Sequence, residues 1–406
     1  MEVIHERCCE LDVHKKTVTA CIITPKGKVI KTFGTMTGNI LELLDWINVN
    51  RCTHVAMEST GVYWKPIYNL LELAGVDVMV VNAHHIKAVP GRKTDVKDAE
   101  WIADLLRHGL LKGSYIPSKP QRELRELVRY RKSLIEERTR EVNRLQKVLE
   151  GCNIKLSSVV SNIMGVSGRS MIEAIINNID DPQLIAQMAK GRLKSKTESL
   201  EKALHGLVGP HQRMILATQL RHIDFLDGEI QRLDREVEER LFPFEEELEL
   251  LETIPGVGRR SAESILTEIG FDMDRFPSDG HISSWAGMAP GNNESAGKRK
   301  SGRAPKGNKY LRSTLVQCAR AASHTKEAYL SAHFRRIAAR RGSNRAAVAV
   351  GHSILVICYH ILKKRQPYND LGANYFDERK SASVLKNAVK RIEALGFKVI
   401  VEEKIA

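Results

Sequence analysis

Residues 92–109, with the sequence RKTDVKDAEWIADLLRHG, contain two aspartates three positions apart, Asp95 and Asp98. In a helix this spacing places both carboxylates on one face, one turn apart. The residues behind them have the apolar spacing of an amphipathic helix that packs on a core: Trp101, Ile102, Leu105 and Leu106. Two neighbouring carboxylates repel each other, so a bound cation would stabilise them. The alternative is a solvated acidic first turn, which the helix dipole favours.

The residues before this helix alternate between strands and helices. We predict three strands at Cys8–Val13, Thr17–Thr24 and Lys28–Thr35, and their tight connections indicate an antiparallel meander. A helix, a strand, a helix and a strand follow, at Ile40–Asn48, Thr53–Met57, Lys65–Ala74 and Val76–Val81. Three antiparallel strands followed by αβαβα is the order of a ribonuclease-H-like domain. We therefore predict an α/β domain over residues 1–117.

In such a domain four acids meet at one edge of the sheet. Asp12 would lie on the central first strand and Glu58 at the end of the fourth, with Asp95 and Asp98 brought alongside by the final helix. Carboxylates at close range disfavour ionisation unless a cation compensates them. Mg²⁺ is the hard, oxygen-seeking cation that suits such a set.

The composition favours a nucleic-acid partner. The chain has 406 residues, enough for two or three domains, and a formal net charge of +14, so a polyanion is the expected ligand. The seven cysteines show no CxxC motif and no histidine–cysteine ligand spacing, which predicts reduced thiols and no zinc site. The longest apolar run, Ala346–Leu362, is too short for a membrane span and is expected to be a buried helix.

Residues 118–245 have the pattern of a coiled-coil assembly region. From Lys119 to Glu150 the seam follows a four-three alternation: Leu124, Val128, Arg131, Ile135, Arg138, Val142, Leu145 and Leu149. Its two arginines fix the register or reach nucleic-acid phosphates. A second such helix is predicted at Leu216–Leu241, and the seams could form a hairpin within one chain or a dimer. Between the two helices, Ser157–His211 is expected to be helical and polar, with no chemistry assigned.

Residues 246–366 are predicted to form a helical domain that binds DNA. The segment Ile-Pro-Gly-Val-Gly at 254–258 precedes a helix, as in a helix–hairpin–helix turn. There Gly256 and Gly258 would let backbone N–H groups approach a phosphate, with Arg259 and Arg260 following. A helix–turn–helix packing joint without DNA is the alternative.

The stretch WAGMAPGNNESAGKRKSGRAPKGNKYLR at 285–312 is a basic loop headed by Ser295. We predict an irregular loop whose cations bind phosphates: Lys298, Arg299, Lys300, Arg303, Lys306, Lys309 and Arg312. Five arginines downstream are also expected to contact phosphates: Arg335, Arg336, Arg340, Arg341 and Arg345. The tail, residues 367–406, is expected to hold a small helix and a strand at Lys398–Val401.

Three stretches resemble the DEDD transposases of the insertion-sequence 110 family: ELDVHKK at 10–16, AMESTGVYW at 56–64 and GRKTDVKDAEWIADLLRHG at 91–109. The loop at 285–312 resembles the family's second transposase domain. The resemblance implies that Asp12, Glu58, Asp95 and Asp98 form a RuvC-like, metal-binding catalytic tetrad. It also implies that the loop serine, aligned with Ser295, is the nucleophile. Ser301 is the alternative, because the Ser-Ala-Gly segment is shorter than the family's.

The resemblance further implies a Mg²⁺-dependent DNA transposase or recombinase of an insertion sequence, with Mn²⁺ able to substitute. Its partners would be double-stranded DNA at the element ends and target, a structured guide RNA, and copies of itself in a homodimer or homotetramer. The protein would lie in a prokaryotic cytoplasm, at the nucleoid, with no membrane role. Two alternatives remain: a water-using two-metal nuclease in which Ser295 is structural, and a non-catalytic helix–hairpin–helix DNA-binding protein. Intact acids at all four motif positions argue against the second.

Overall fold

The computed structural model describes residues 2–59, 61–81, 95–111, 113–291, 293–295, 298–301, 304–379 and 381–401. Side chains are described for all of these except 95–99, 293–295, 298–301, 383 and 384. The chain divides into two compact units, Met1–Ser118 and Lys119–Ala406. The first combines a sheet with helices and the second is mainly helical.

The first unit is built on five strands, β1 (Cys8–Val13), β2 (Thr17–Thr24), β3 (Gly27–Gly34), β4 (His54–Glu58) and β5 (Asp77–Val81). Their order in the sheet is β3-β2-β1-β4-β5. β2 pairs antiparallel with β1 and β3, whereas β4 runs parallel to β1 and β5. The helices are α1 (Thr37–Val49), α2 (Trp64–Leu73) and α3 (Asp95–Arg107). The predicted order of elements is confirmed, and the central β1 is consistent with a ribonuclease-H-like domain.

Alternation along β1 directs its side chains to two different faces of the sheet. Leu11 and Val13 belong to a core that also contains residues of α1 and α2. Cys8 belongs to a smaller core shared with α3. Because successive side chains of a strand point to opposite faces, Glu10 and Asp12 lie on the α3 face with Cys8. The acid of β1 therefore faces the helix that begins at Asp95.

The second unit begins with a helical hairpin of α4 (Lys119–Gly151) and a later helix, Pro210–Leu241. The two run antiparallel, since Arg131 bonds Asp234 at 3.0 Å while Arg138, one heptad later, bonds Asp227 at 3.0 Å. The predicted seam is thus used within one chain. Leu134 and Glu141 are more buried than their seam neighbours Ile135 and Val142, because a helix of 3.6 residues per turn drifts off a strict heptad.

The hairpin carries a small helical head, residues 152–209, between its two long helices. The head contains α5 (Leu156–Val159), α6 (Val166–Ile176), α7 (Pro182–Ala186) and α8 (Thr197–Leu204), and it leads into α9 (Pro210–Leu241). These helices share their own apolar core, which includes Met171, Ile172 and Leu200 and extends to Leu145 and Leu216 of the hairpin. The predicted helices are confirmed, but the description of this region as polar was wrong.

The rest of the second unit packs around one apolar core. Its helices are α10 (Glu245–Glu252), α11 (Arg259–Ile269), α12 (Asp279–Trp285), α13 (Lys309–Ala322), α14 (Tyr329–Arg341), α15 (Ser343–Lys364), α16 (Tyr375–Glu378) and α17 (Ser381–Glu393). α15 is long and apolar enough to cross a membrane, but Val350, Ile354 and Cys358 are fully buried in the core. α15 is therefore the predicted core helix.

Two predictions for this unit were wrong. Residues 398–401 are irregular and form no strand. The stretch 298–312 is not wholly a loop, because Lys298–Ser301 forms β7, paired antiparallel with β6 (Asn293–Ser295), and α13 begins at Lys309.

Candidate active site and nucleic-acid interface

Asp12 and Glu58 lie side by side on the two central parallel strands. The register pairs Leu11 of β1 with Met57 of β4, so the next residues, Asp12 and Glu58, stand on neighbouring strands about 4.8 Å apart. Partners in a parallel register point to the same face. Both side chains are half-exposed, so the carboxylates reach solvent at the edge where β1 and β4 end.

α3 runs antiparallel to β1 across this face. The Cys8 thiol donates to the Ala103 carbonyl at 3.6 Å, and the Arg107 carbonyl accepts the N–H groups of Ile4 and His5 at 3.0 Å. From Cys8 to Asp12 the strand rises about 13 Å, and from Ala103 back to residue 95 the helix rises about 12 Å. The backbone at the first turn of α3 is therefore level with the two acids.

The Asp12 carboxylate is partly exposed and contacts a histidine. The Asp12 Oδ2 lies 3.1 Å from the His14 Nε2, and the Asp12 side chain is 38% exposed. Among the described side chains no group of three or more His, Cys, Asp or Glu lies close enough to hold a metal. The side chains of Asp95 and Asp98, the other two predicted ligands, lie outside that set. Adjacent carboxylate oxygens are the donor type that Mg²⁺ takes in proteins, so the donors fit this ion.

The α3 face also carries Glu100 and two buried thiols. Glu100 of α3 forms an ion pair with Lys28 of β3, with 2.6 Å between the Lys28 Nζ and the Glu100 Oε1. Burial raises the pKa of the Cys8 and Cys21 thiols to about 11. These thiols are therefore protonated at neutral pH.

Ser295 and Ser301 lie in a short hairpin at the centre of the basic loop. The pairing joins Ser295 to Lys298 and Asn293 to Ser301. Both candidate serines are therefore on described strands, although their side chains and those of Lys298, Arg299 and Lys300 are not described. Arg303 lies outside the described residues.

The loop is closed at its base by two glycines. A Cβ built on Gly287, which has a φ of 67°, would lie 2.6 Å from the Gly307 backbone nitrogen, and a Cβ on Gly307 would meet the Ala286 backbone. Only glycine permits this approach of two backbones. Arg312 donates to the Gly287 carbonyl at 3.2 Å, so it holds the base of the loop. Lys306 and Lys309 are exposed.

A buried carboxylate that the sequence did not reveal fixes the C-terminal end of this loop. Asn308 caps α13 by accepting from the Tyr310 and Leu311 N–H groups, and its Nδ2 donates to the Glu268 Oε2 at 2.6 Å. Arg129 of α4 also donates to Glu268, at 2.7 and 2.8 Å. Burial lowers the pKa of Arg129, but its hydrogen bonds to Glu268 outweigh this, so the pKa is raised. An asparagine before an amphipathic run is a signal in the sequence for the start of a helix, and Asn308 fits it. No pattern in the sequence indicates that Glu268 and Arg129 contact this position.

The two glycines predicted to bind phosphate have different environments. A Cβ on Gly256, which has a φ of 84°, would lie 2.5 Å from the Ala322 nitrogen, whereas a Cβ on Gly258 would meet nothing within 4 Å. Gly256 is thus a packing glycine against α13, and only Gly258, at the start of α11, is open to a ligand. Arg259 and Arg260 form ion pairs with Glu245 and Asp234, so their predicted role as a basic follow-on is not supported.

The arginines around α14 remain available to a polyanion. Five of them are exposed, and none forms an ion pair with any described residue: Arg335, Arg336, Arg340, Arg341 and Arg345. The guanidinium of Arg336 lies 5.3 Å from the centre of the Phe376 ring. This basic surface is a candidate nucleic-acid interface.

Comparison with known proteins identifies the class. A transposase model of the DEDD IS110 group matches residues 9–154, and a model described as transposase of the IS116/IS110/IS902 family matches residues 248–335. The chain is 24% identical to the transposase for insertion sequence element IS1111A of Coxiella burnetii, over 88% of this chain and 90% of that one. It is 23% identical to the pilin gene-inverting protein of Moraxella bovis, over 88% and 96% respectively.

The fold and the two matched regions therefore define a DNA transposase or recombinase. The chain belongs to the IS110 family of DEDD transposases.

Proposed function

We propose that this protein is the transposase of an insertion sequence, and that it cleaves and rejoins DNA with Asp12, Glu58, Asp95 and Asp98 as its catalytic acids and Ser295 as its nucleophile. The observation that carries the proposal is the placement of Asp12 opposite Glu58 on the face covered by α3. Asp12 and Glu58 are half-exposed on adjacent strands, beneath a helix that begins with two more acids. Their spacing suits ligands of one metal site.

The acids would hold Mg²⁺, or Mn²⁺ in its place. The bound metal would stabilise the attacking and leaving oxygens of a phosphoryl transfer. Asp12 and Glu58 would supply oxygens from the sheet, and Asp95 and Asp98 would supply them from the first turn of α3. His14, at 3.1 Å from Asp12, would orient that carboxylate.

Ser295 would carry out the covalent step. Its Oγ loses a proton and forms a bond to phosphorus, while the bond from phosphorus to a sugar oxygen breaks and that oxygen takes up a proton. The serine–phosphate ester keeps the energy of the phosphodiester, so the reverse attack by a sugar hydroxyl rejoins strands without ATP. The cations of the loop would offset the charge that develops on the phosphate.

Recognition of DNA would depend on a structured guide RNA. The net charge of +14 and the exposed arginines of α14 suit polyanion binding, whereas an array of base-reading side chains is not evident in the sequence. Base pairing would then select the element ends and the target, as in other RNA-guided systems. This assignment places the protein at the nucleoid of a prokaryotic cytoplasm.

Assembly into a homodimer or homotetramer is also proposed, because a recombination cuts and exchanges four strands. The seam of α4 is buried against α9 of the same chain, so the contact between copies would use another surface. Light scattering that finds only a monomer, both free and on nucleic acid, would contradict this part of the proposal.

The test compares Asp12→Ala and Glu58→Ala with Asp77→Ala. Asp77 begins β5, at the end of the parallel strands opposite to Asp12 and Glu58, and is a matched control for the loss of one acid. We expect the first two variants to lose strand exchange on a plasmid that carries the element ends, while their nucleic-acid binding stays near the wild type. Asp77→Ala should remain active. Full activity of Asp12→Ala, or of the wild type in EDTA, would refute the metal site.

A further inference from the structure

The head of the hairpin carries a basic segment with no assigned role. Residues 190–196, KGRLKSK, contain four cations and no acid; we name this segment the basic turn. Six of its residues, Gly191–Lys196, form a 3₁₀ helix. The side chains of its four cations are all exposed: Lys190, Arg192, Lys194 and Lys196.

The cations of the basic turn differ from the other cations of the head in having no carboxylate partner among the described residues. The other three are all ion-paired: Lys155 with Glu150 at 2.5 Å, Arg169 with Glu173 at 2.8 Å and Lys202 with Glu198 at 2.7 Å. Among the side chains of these four cations, only that of Lys196 donates a hydrogen bond to a described residue, from its Nζ to the Val159 carbonyl at 3.5 Å. The positive charge of the head is therefore neutralised everywhere except in this segment.

The way the basic turn is anchored directs its charge outward. Leu193 is half-buried and packs against the core of the head. At about three residues per turn, Arg192 and Lys194 stand about 120° to either side of Leu193, away from that core. The segment extends about 12 Å at 2.0 Å per residue, which is close to the width of the major groove of B-DNA, about 12 Å. Its cations can therefore reach phosphates on both sides of a groove.

The hairpin holds the basic turn away from the C-terminal core. Val128 of α4 belongs to the C-terminal core, which is the apolar core formed by the helices after α9, and Leu145 belongs to the core of the head. These residues are separated by about 25 Å along the helix at 1.5 Å per residue. At 3.4 Å per base pair this length corresponds to about seven base pairs. The basic turn also lies between the two regions matched by the family models, residues 9–154 and 248–335.

We propose that the basic turn is a nucleic-acid contact of the head, which binds the phosphates of a duplex several base pairs from the region held by the C-terminal core. The assignment rests on the proposed function only in taking nucleic acid as the ligand. It adds a binding surface to which neither the four catalytic acids nor the basic loop that carries Ser295 contributes. Both duplex DNA and a double-helical arm of RNA present two rows of phosphates, so either could be the ligand of the basic turn.

The test measures binding by the full-length protein, with no chemistry involved. Arg192→Gln with Lys194→Gln removes two unpaired charges, and Lys155→Gln with Lys202→Gln removes two paired charges from the same head. Fluorescence anisotropy with a labelled mixed-sequence DNA duplex, and separately with an RNA hairpin, gives the affinity as a function of salt. The logarithm of the binding constant falls linearly with the logarithm of the salt concentration, and each lost phosphate contact reduces the magnitude of that slope by about 0.9 on B-DNA. We therefore expect the slope to be reduced by roughly 2 in the first double variant and to change little in the second. Arg192→Lys with Lys194→Arg should bind like the wild type, and far-ultraviolet circular dichroism checks folding.

The outcomes are distinct. A reduced slope on the DNA duplex assigns the basic turn to DNA, and one on the RNA hairpin alone assigns it to RNA. Equal losses in the two double variants would mean that only net charge matters, and unchanged binding in both would mean that the segment is a solvated surface; either result overturns the proposal. Loss of activity in Asp12→Ala has no bearing on this measurement, so the failure of one proposal is distinguishable from the failure of the other.

Discussion

Replacing Arg131 by alanine should destabilise the C-terminal unit and leave nucleic-acid binding unchanged. The Arg131 side chain is 4% exposed and donates to Glu263, itself 7% exposed, at 2.6 Å, and to Asp234 at 3.0 Å. Removing one partner of a buried ion pair costs about 3–5 kcal/mol. The Arg259 Nε remains 3.3 Å from Glu263, so we expect the lower value, about 3 kcal/mol, or roughly a 150-fold change in the folding equilibrium.

Arg138 is a matched control on the same helix. It is also a seam arginine and pairs with Asp227, but both side chains are about one-third exposed, 31% and 37%. An ion pair in contact with solvent contributes about 0–1 kcal/mol, so Arg138→Ala should lose at most about a third of the stability that Arg131→Ala loses. Urea unfolding, followed by far-ultraviolet circular dichroism, measures both variants. The reasoning is refuted if the two variants lose equal stability, or if Arg131→Ala weakens DNA binding without a change in unfolding.

Three further predictions concern the loop, the glycines and the RNA. Ser295→Ala should lose the covalent protein–DNA adduct, while Ser301→Ala, on the paired strand, should keep it; an adduct mapped by mass spectrometry decides. Clean cleavage by Ser295→Ala, with no adduct in the wild type, would identify a water-using nuclease. Gly256→Ala should cost about 1–3 kcal/mol through its contact with Ala322, whereas Gly258→Ala should be nearly neutral in the same urea experiment, and equal costs would contradict the packing role of Gly256. Recombination at a defined site should stop after ribonuclease treatment; activity that persists without RNA would exclude the guide.

The sheet could be predicted because its information is local. β1 and β2 have the predicted bounds, since apolar alternation and tight turns are properties of neighbouring residues. The helix after Asp95 was predicted from four apolar residues at helical spacing. The same signals located Asp12 and Glu58 on their strands, and the parallel register of β1 and β4 then brings the two acids together.

The polar contacts of the second unit could not be predicted, because they join distant residues. Arg131 and Glu263 are 132 positions apart, and Asn308 and Glu268 are 40 positions apart. A periodic seam indicates that Arg131 is buried, but it does not identify the carboxylate that accepts the charge. For that reason the sequence left open whether the seam arginines bind phosphate.

The predicted strand at 398–401 failed for a related reason. A short apolar run becomes a strand only when a neighbouring strand accepts its hydrogen bonds, and Ile400 and Val401 are exposed instead. The polar description of 157–211 failed because the apolar residues of the head are scattered over four short helices, so no single helix has a long apolar stripe.

Because Gly287 and Gly307 are in contact, the basic loop that carries Ser295 can be exchanged without a change in the helices on either side. Met288, next to Gly287, is buried in the core of the second unit. The segment between Met288 and Gly307 therefore begins and ends at one point of the fold, so it can lengthen or shorten without moving α12 or α13. Doubling the length of a loop costs only about 0.6 kcal/mol of closure entropy. Related enzymes could therefore differ in the length and the number of basic residues of this segment while the contact between the two glycines is kept. A graft between relatives should therefore begin after Met288 and end before Gly307.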